Sequence, residues 1–153
     1  MKGDDMQQAV TARTPVHLWI VGILSLLWNC IGAADYLMTR LRNDAYFESM
    51  MPSVPPATFY AYVDAMPLYA QVGWGLGVWG AFAGSLLLLI RSKYAFHAFA
   101  LSMIGIVFGI GYQLMTPPPG SEGAGKIIMY AVIAIGAALL YYSWKQRARG
   151  VLR

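Results

Sequence analysis

Four long apolar runs, with most of the Lys and Arg placed in alternate connections, constrain this 153-residue chain more than any other feature. The runs cover residues 16–38, 66–90, 94–115 and 126–144, each near the ~20 residues an α-helix needs to cross a bilayer core. The expected fold class is therefore all-α: a polytopic four-transmembrane-helix bundle over residues 16–144, with an N-terminal segment at 1–15 and a basic tail at 145–153. With 58% hydrophobic and only 12% charged residues, the chain cannot coat a soluble globule of its size. The net charge of +4 does not make a nucleic-acid footprint, because the cations sit at membrane boundaries and not along a basic face interleaved with aromatics. Lipid is the expected surrounding, and nucleic acid is not a partner. Lone Cys30 lies inside the first run, where it forms no intramolecular disulfide and reads as a small packing residue.

A signal peptide would need residues 16–31 as its apolar core, at or beyond the usual length, and three further spans follow. The first run is expected to remain as a helix. The short connection Arg91-Ser92-Lys93 satisfies the conditions under which the positive-inside rule is most reliable, which makes it cytoplasmic. Threading outward puts Lys2 and Arg13 on the same side, along with Lys145, Arg147, Arg149 and Arg153. Asp35, Asp44, Glu48, Asp64 and Glu122 fall on the opposite side with Arg40, Arg42 and Lys126, so both termini are expected in the cytoplasm.

The longer external loop contains Pro55-Pro56, acceptable in a first helical turn, and predicts a short interfacial helix carrying Phe59, Tyr60, Tyr62 and Val63. The second external loop, with Pro117-Pro118-Pro119 and Gly120, Gly123 and Gly125, is a hairpin connection. No internal repeat relates the first helix pair to the second, so the inverted-repeat pattern of many transporters is missing.

On the second run Gly73, Gly77, Gly80 and Gly84 fall within about 60° of one another, a stripe that admits a neighbouring backbone. The third run shows a similar face in Ala98, Ser102, Gly105, Gly109 and Gln113, and the first in Gly22, Ser25, Asn29, Gly32 and Tyr36. These faces are expected to pack together. The fourth run, read on Ala134, Ala137 and Ala138, is expected to be more peripheral.

Gly120-x4-Gly125-Lys126 has phosphate-loop spacing, but Ile127 stands where a hydroxyl should hold magnesium and prolines precede it in place of a strand. Gly75-x-Gly77-x-x-Gly80 imitates a dinucleotide fingerprint inside a membrane helix. Neither is functional in that sense. Metal-spaced Cys/His clusters and hydrolase signatures are missing, so neither a cofactor, a metal nor an enzymatic activity is expected. His17 and His97 read as interfacial, and the tryptophans as lipid-facing or packing residues.

The polar residues of the spans are more informative. Asn29, Asp35, Gln71 and Gln113 lie within about nine residues, ~13 Å, of the external boundary, with Tyr36, Tyr112, Lys126 and Arg40 at comparable levels. They define a candidate external polar pocket of Asn29, Asp35, Tyr36, Gln71, Tyr112, Gln113 and Lys126, with Asp35 as its charge. The competing structural readings are an interfacial Asp35 paired with Lys126 or Arg40, and an Asn29 satisfied by an interhelical hydrogen bond.

Leu27-Trp28-Asn29-x-x-Gly32-x-x-Asp35-Tyr36-x-Met38-Thr39, followed by Met66-Pro67, Gly77-Val78-Trp79-Gly80 and Gly84-Ser85 leading into Leu86 to Arg91, resembles a family of small bacterial four-helix membrane proteins. The likeness extends over about residues 19–112. The family has no established activity, although some members are labelled sugar transporters. The resemblance implies a bacterial inner-membrane location and draws attention to Trp28, Asn29, Asp35 and Tyr36, without a catalytic assignment.

Two functions are in view. The leading expectation, drawn from the glycine stripe, is a non-enzymatic accessory component that packs against itself or a membrane-protein partner. The polar cluster favours a small-solute transporter or binding protein, as a dimer because four helices make a thin scaffold for alternating access. The ligand is not specified.

Overall fold

The computed structural model describes residues 14–153, so Lys2 and Arg13 lie outside the described residues. Six helices follow in order: α1 (Val16–Arg40), α2 (Asp44–Met50), α3 (Pro56–Ala65), α4 (Leu68–Leu89), α5 (Ala95–Met115) and α6 (Ala124–Ala148). Among the described residues there is no strand. Helices α1, α4, α5 and α6 are long and apolar enough to span a membrane. Their 21 to 25 residues give ~32–38 Å of helix against a hydrocarbon core of ~30 Å. The chain is an all-helical, multi-pass membrane protein.

Local chemistry sets the helix boundaries. Pro15, Pro55 and Pro67 occupy the positions just before α1, α3 and α4, where no backbone donor is needed. Arg42 (φ 52°) and Arg91 (φ 61°) take the left-handed conformation and turn the chain after α1 and α4, at ~1–2 kcal/mol each for a residue with a Cβ. Asn43 caps α2 by accepting a 2.9 Å hydrogen bond from the Tyr46 amide. This helix was not anticipated from the sequence; the expected short helix is α3.

The glycine faces of α4 and α5 pack on each other. A Cβ on Gly105 would meet the backbone of Gly77 and, at 2.6 Å, the Gly73 carbonyl, while one on Gly109 would lie 2.7 Å from the Trp74 amide nitrogen. Ser102 Oγ donates a 2.6 Å hydrogen bond to the Gly77 carbonyl across the same seam. In lipid, where apolar burial gains little, such backbone proximity and interhelical bonding carry association. The α1 face meets the other side of α4: Asn29 Nδ2 donates to Ser85 Oγ (2.9 Å) and the Ala81 carbonyl (3.3 Å), and Gly22 faces Leu89. Helix α6 packs on α5, with Gly136, overlooked among its small residues, against Ile106 and Met103.

The order in space is thus α1–α4–α5–α6, and α1 does not pack along α6. They meet at one end, where His17 Nδ1 and Tyr142 Oη share a 2.6 Å hydrogen bond. A buried apolar cluster of Leu18, Leu88, Ala95, Phe99, Leu139, Val151 and Leu152 fills that end. Residues 145–153, expected as a tail, continue α6 to Ala148 and then fold back: Lys93 donates to the Arg153 carbonyl and Arg153 to the Arg91 carbonyl, both at 2.8 Å.

Candidate functional site

At the opposite end the bundle is roofed by its loops. Phe47 of α2 is buried against Phe59 and Tyr60 of α3, with ring centroids 4.5 and 5.7 Å away. Tyr60 and Val63 are buried in this roof, so α3 turns part of its expected lipid-facing aromatic set inward. Tyr62 Oη donates a 2.7 Å hydrogen bond to the Thr116 carbonyl, tying α3 to the end of α5. Burial, and secondarily the neighbouring Tyr112, pushes the Tyr62 phenol up to about 12, which keeps it a donor. Gly120 (φ 74°) brings the second loop down onto the first: a Cβ there would lie 2.6 Å from both Met51 Cε and Val54 Cγ2.

Beneath this roof, in the gap between α1 and α6, lies a cavity of about 550 Å³ backed by α4 and α5. Its size falls within the ~300–1,000 Å³ of small-molecule sites. Ala81, Ile106, Val132, Ile135 and Leu139 make its inner end apolar, and Trp28 and Trp74 line its walls. The polar groups gather mainly toward the roof: Asp35, Tyr46, Gln113 and Ser121, with Asn29 deeper.

Asp35 projects from α1 and accepts a 3.2 Å hydrogen bond from Tyr46 Oη. Burial, followed by the charge and hydrogen bond of Asp35, raises the Tyr46 pKa above its ordinary value, so this phenol also stays protonated. The anticipated pairing of Asp35 with Lys126 or Arg40 is not formed; among the described residues the ion pair present is Arg42–Asp64, at 2.8 Å on the surface. Asn29 lines the cavity while its amide nitrogen is held by α4. Ser121 is only 6% exposed and its hydroxyl has no hydrogen-bond partner among the described residues.

The seven residues grouped from the sequence divide among several places. Asn29, Asp35 and Gln113 share the large cavity, and Lys126 lines an adjoining space of about 130 Å³ with Gln113 and Ser121. Tyr36 and Gln71 are instead gathered by Arg40, which donates to Tyr36 Oη (3.3 Å) and Gln71 Oε1 (3.2 Å) and lies 5.7 Å from the Trp74 ring centre. Tyr112 stands between Tyr62 and Tyr69, at 6.4 and 6.3 Å between ring centres. Tyr46 and Ser121 were missed as site residues. The first lies on α2, outside the spans from which the pocket was assembled, and the second sat inside the rejected phosphate-loop pattern.

Among the described residues no group of three His, Cys, Asp or Glu side chains converges to hold a metal. The site offers a carboxylate, two neutral hydroxyls and a carboxamide above an apolar chamber. That set supplies hydrogen-bond donors and acceptors and one negative charge at one end of an apolar space. The chain matches no family model, no curated protein and no solved structure. Fold and site define its class as a four-helix membrane bundle enclosing a side-opening cavity.

Proposed function

We propose that the protein is a non-enzymatic, small-molecule-binding or transport component of a bacterial inner membrane, with both termini in the cytoplasm. The cavity between α1 and α6 carries the binding reading, because closely packed bundles seldom leave about 550 Å³ beside a carboxylate that forms no ion pair. The orientation is supported by the charges. Arg91, Lys93, Lys145, Arg147, Arg149 and Arg153 belong to the end where the chain folds back, whereas all five described acids lie toward the roof.

The accessory-component reading drew on the α4 glycine stripe. That stripe is filled by α5, so self-association or capture of a membrane-protein partner would have to use another surface.

The test is retention of a small molecule by protein purified in lipid nanodiscs, identified by mass spectrometry. Gly32 lines the cavity, and a Cβ there meets nothing within 4 Å, so Gly32→Phe fills the space without displacing backbone. The expected result is a retained molecule that the variant loses. A wild-type protein that retains nothing, or a variant that retains as much, overturns the binding reading. Protease accessibility of tags at both termini in inverted vesicles tests the orientation.

A further inference from the structure

Resting on that binding reading, we infer that the cavity's ligand is a cationic amphiphile from one bilayer leaflet, its chain lying in the gap between α1 and α6 and its head beside Asp35. The dimensions fit. The α1 lining runs from Trp28 to Thr39 and the α6 lining from Ala124 to Leu139, ~17 and ~22 Å of helix, against ~15 Å for the hydrocarbon of one leaflet. A chain entering sideways need not cross water, because α1 and α6 are not packed along their lengths.

Polarity is ordered the same way. The inner wall of Ala81, Ile106, Ile135 and Leu139 offers nothing to a hydroxyl-rich sugar, whose groups would lose hydrogen bonds to water there. The roof end places Asp35, the Tyr46 and Ser121 hydroxyls and Gln113 where a head would sit.

Charge then selects the head. Among the described residues no Lys, Arg or His lines the large cavity, and Asp35 has no ion-pair partner. A sulfate or phosphate head would face this carboxylate in a medium of reduced dielectric, while an ammonium would be attracted by it. Lys126 faces the smaller space beyond Gln113 and Ser121, so it offsets Asp35 only in part.

The experiment uses amphiphiles sharing one brominated dodecyl chain, with trimethylammonium, maltoside or sulfate heads. They are titrated into nanodiscs of zwitterionic lipid and corrected for their partitioning. Trp28 and Trp74 report through bromine quenching in a protein whose Trp19, Trp79 and Trp144 are changed to Phe. The ammonium amphiphile is expected to quench at a concentration roughly tenfold or more below the sulfate one. Asp35→Asn, which keeps an acceptor for Tyr46, removes that difference, and Asp35→Glu retains it. Equal quenching by all three heads, preference for sulfate, or an ammonium preference unchanged in Asp35→Asn overturns the head-group inference and leaves binding intact. If no head quenches beyond the level in Gly32→Phe, the binding reading itself falls.

Discussion

Replacing Gly105 by alanine adds one carbon at the closest point of the α4–α5 seam. That carbon would meet the Gly77 backbone nitrogen, the Gly73 carbonyl oxygen at 2.6 Å and the Leu76 carbonyl carbon at 2.8 Å. Ordinary contact begins at 3.4 Å, so the helices must part locally by ~0.8 Å or more. All three obstacles are backbone, and no side chain can swing aside. Overpacking of this kind costs about 1–3 kcal/mol, and the rigidity of the obstacles puts Gly105→Ala toward the upper end. Gly111 on the same helix is the control, because a Cβ there meets nothing within 4 Å. Both substitutions recover the ~0.5–1 kcal/mol by which alanine exceeds glycine inside a helix, so that gain cancels between them. The assay is reversible unfolding in mixed micelles followed by circular dichroism. Gly105→Ala should be less stable than Gly111→Ala by about 1–3 kcal/mol. A gap under about 0.5 kcal/mol, the range of an ordinary surface change, would refute the backbone-contact reasoning.

Asn29→Ala and Ser85→Ala should each cost about 0.6–2 kcal/mol in the same assay, and together less than their sum, since they share one 2.9 Å bond; strict additivity would count against that bond. Leu152→Ala should cost about 2–3 kcal/mol by opening the basal cluster, and a loss near zero would show that this segment does not seal the bundle. Tyr62 titrates at about 12 in the folded protein, whereas the unfolded phenol titrates near ~10. Its contribution to stability is therefore complete below ~10 and disappears as pH rises through about 12. Ultraviolet titration should lose its latest phenol in Tyr62→Phe, and an unchanged curve would contradict the burial.

The spans were legible because hydropathy reports residence in hydrocarbon directly. Residues 94–115 anticipate Ala95–Met115 closely. The fourth span ends at 144 by hydropathy while its helix runs on to Ala148, because Lys145, Gln146 and Arg147 end the apolar run without ending the helix. Helical continuity depends on backbone bonding, which polar side chains on the last turn do not interrupt. Periodicity also revealed the faces: Gly73, Gly77, Gly105 and Gly109 could be placed on stripes before their partners were known. It could not say which stripes would meet. The cavity was less legible still, since it arises from the separation of α1 and α6, a relation between helices far apart in sequence. Depth put Asn29, Asp35 and Gln113 in one group, and the three line one cavity, but depth alone also admitted Tyr36 and Gln71, which Arg40 gathers elsewhere. Tyr46 reaches Asp35 from a seven-residue helix whose local signals were the Asn43 cap and Asp44 in its first turn.

No loop joins the two helices that face each other across the cavity; 125 residues separate His17 from Tyr142. Helix α6 rests on α5 through Gly136, apart from the α4–α5 glycine seam, so the opposing walls are joined through α5 and α4 and by contacts at the basal end. Those basal contacts are the His17–Tyr142 bond, the apolar cluster around Leu18 and Leu139, and the hydrogen bonds of Arg91 and Lys93 with the chain end after α6. Close backbone contact and open space thus reside in different helix pairs: α4 and α5 meet at their glycines, and α1 and α6 stand apart across the cavity.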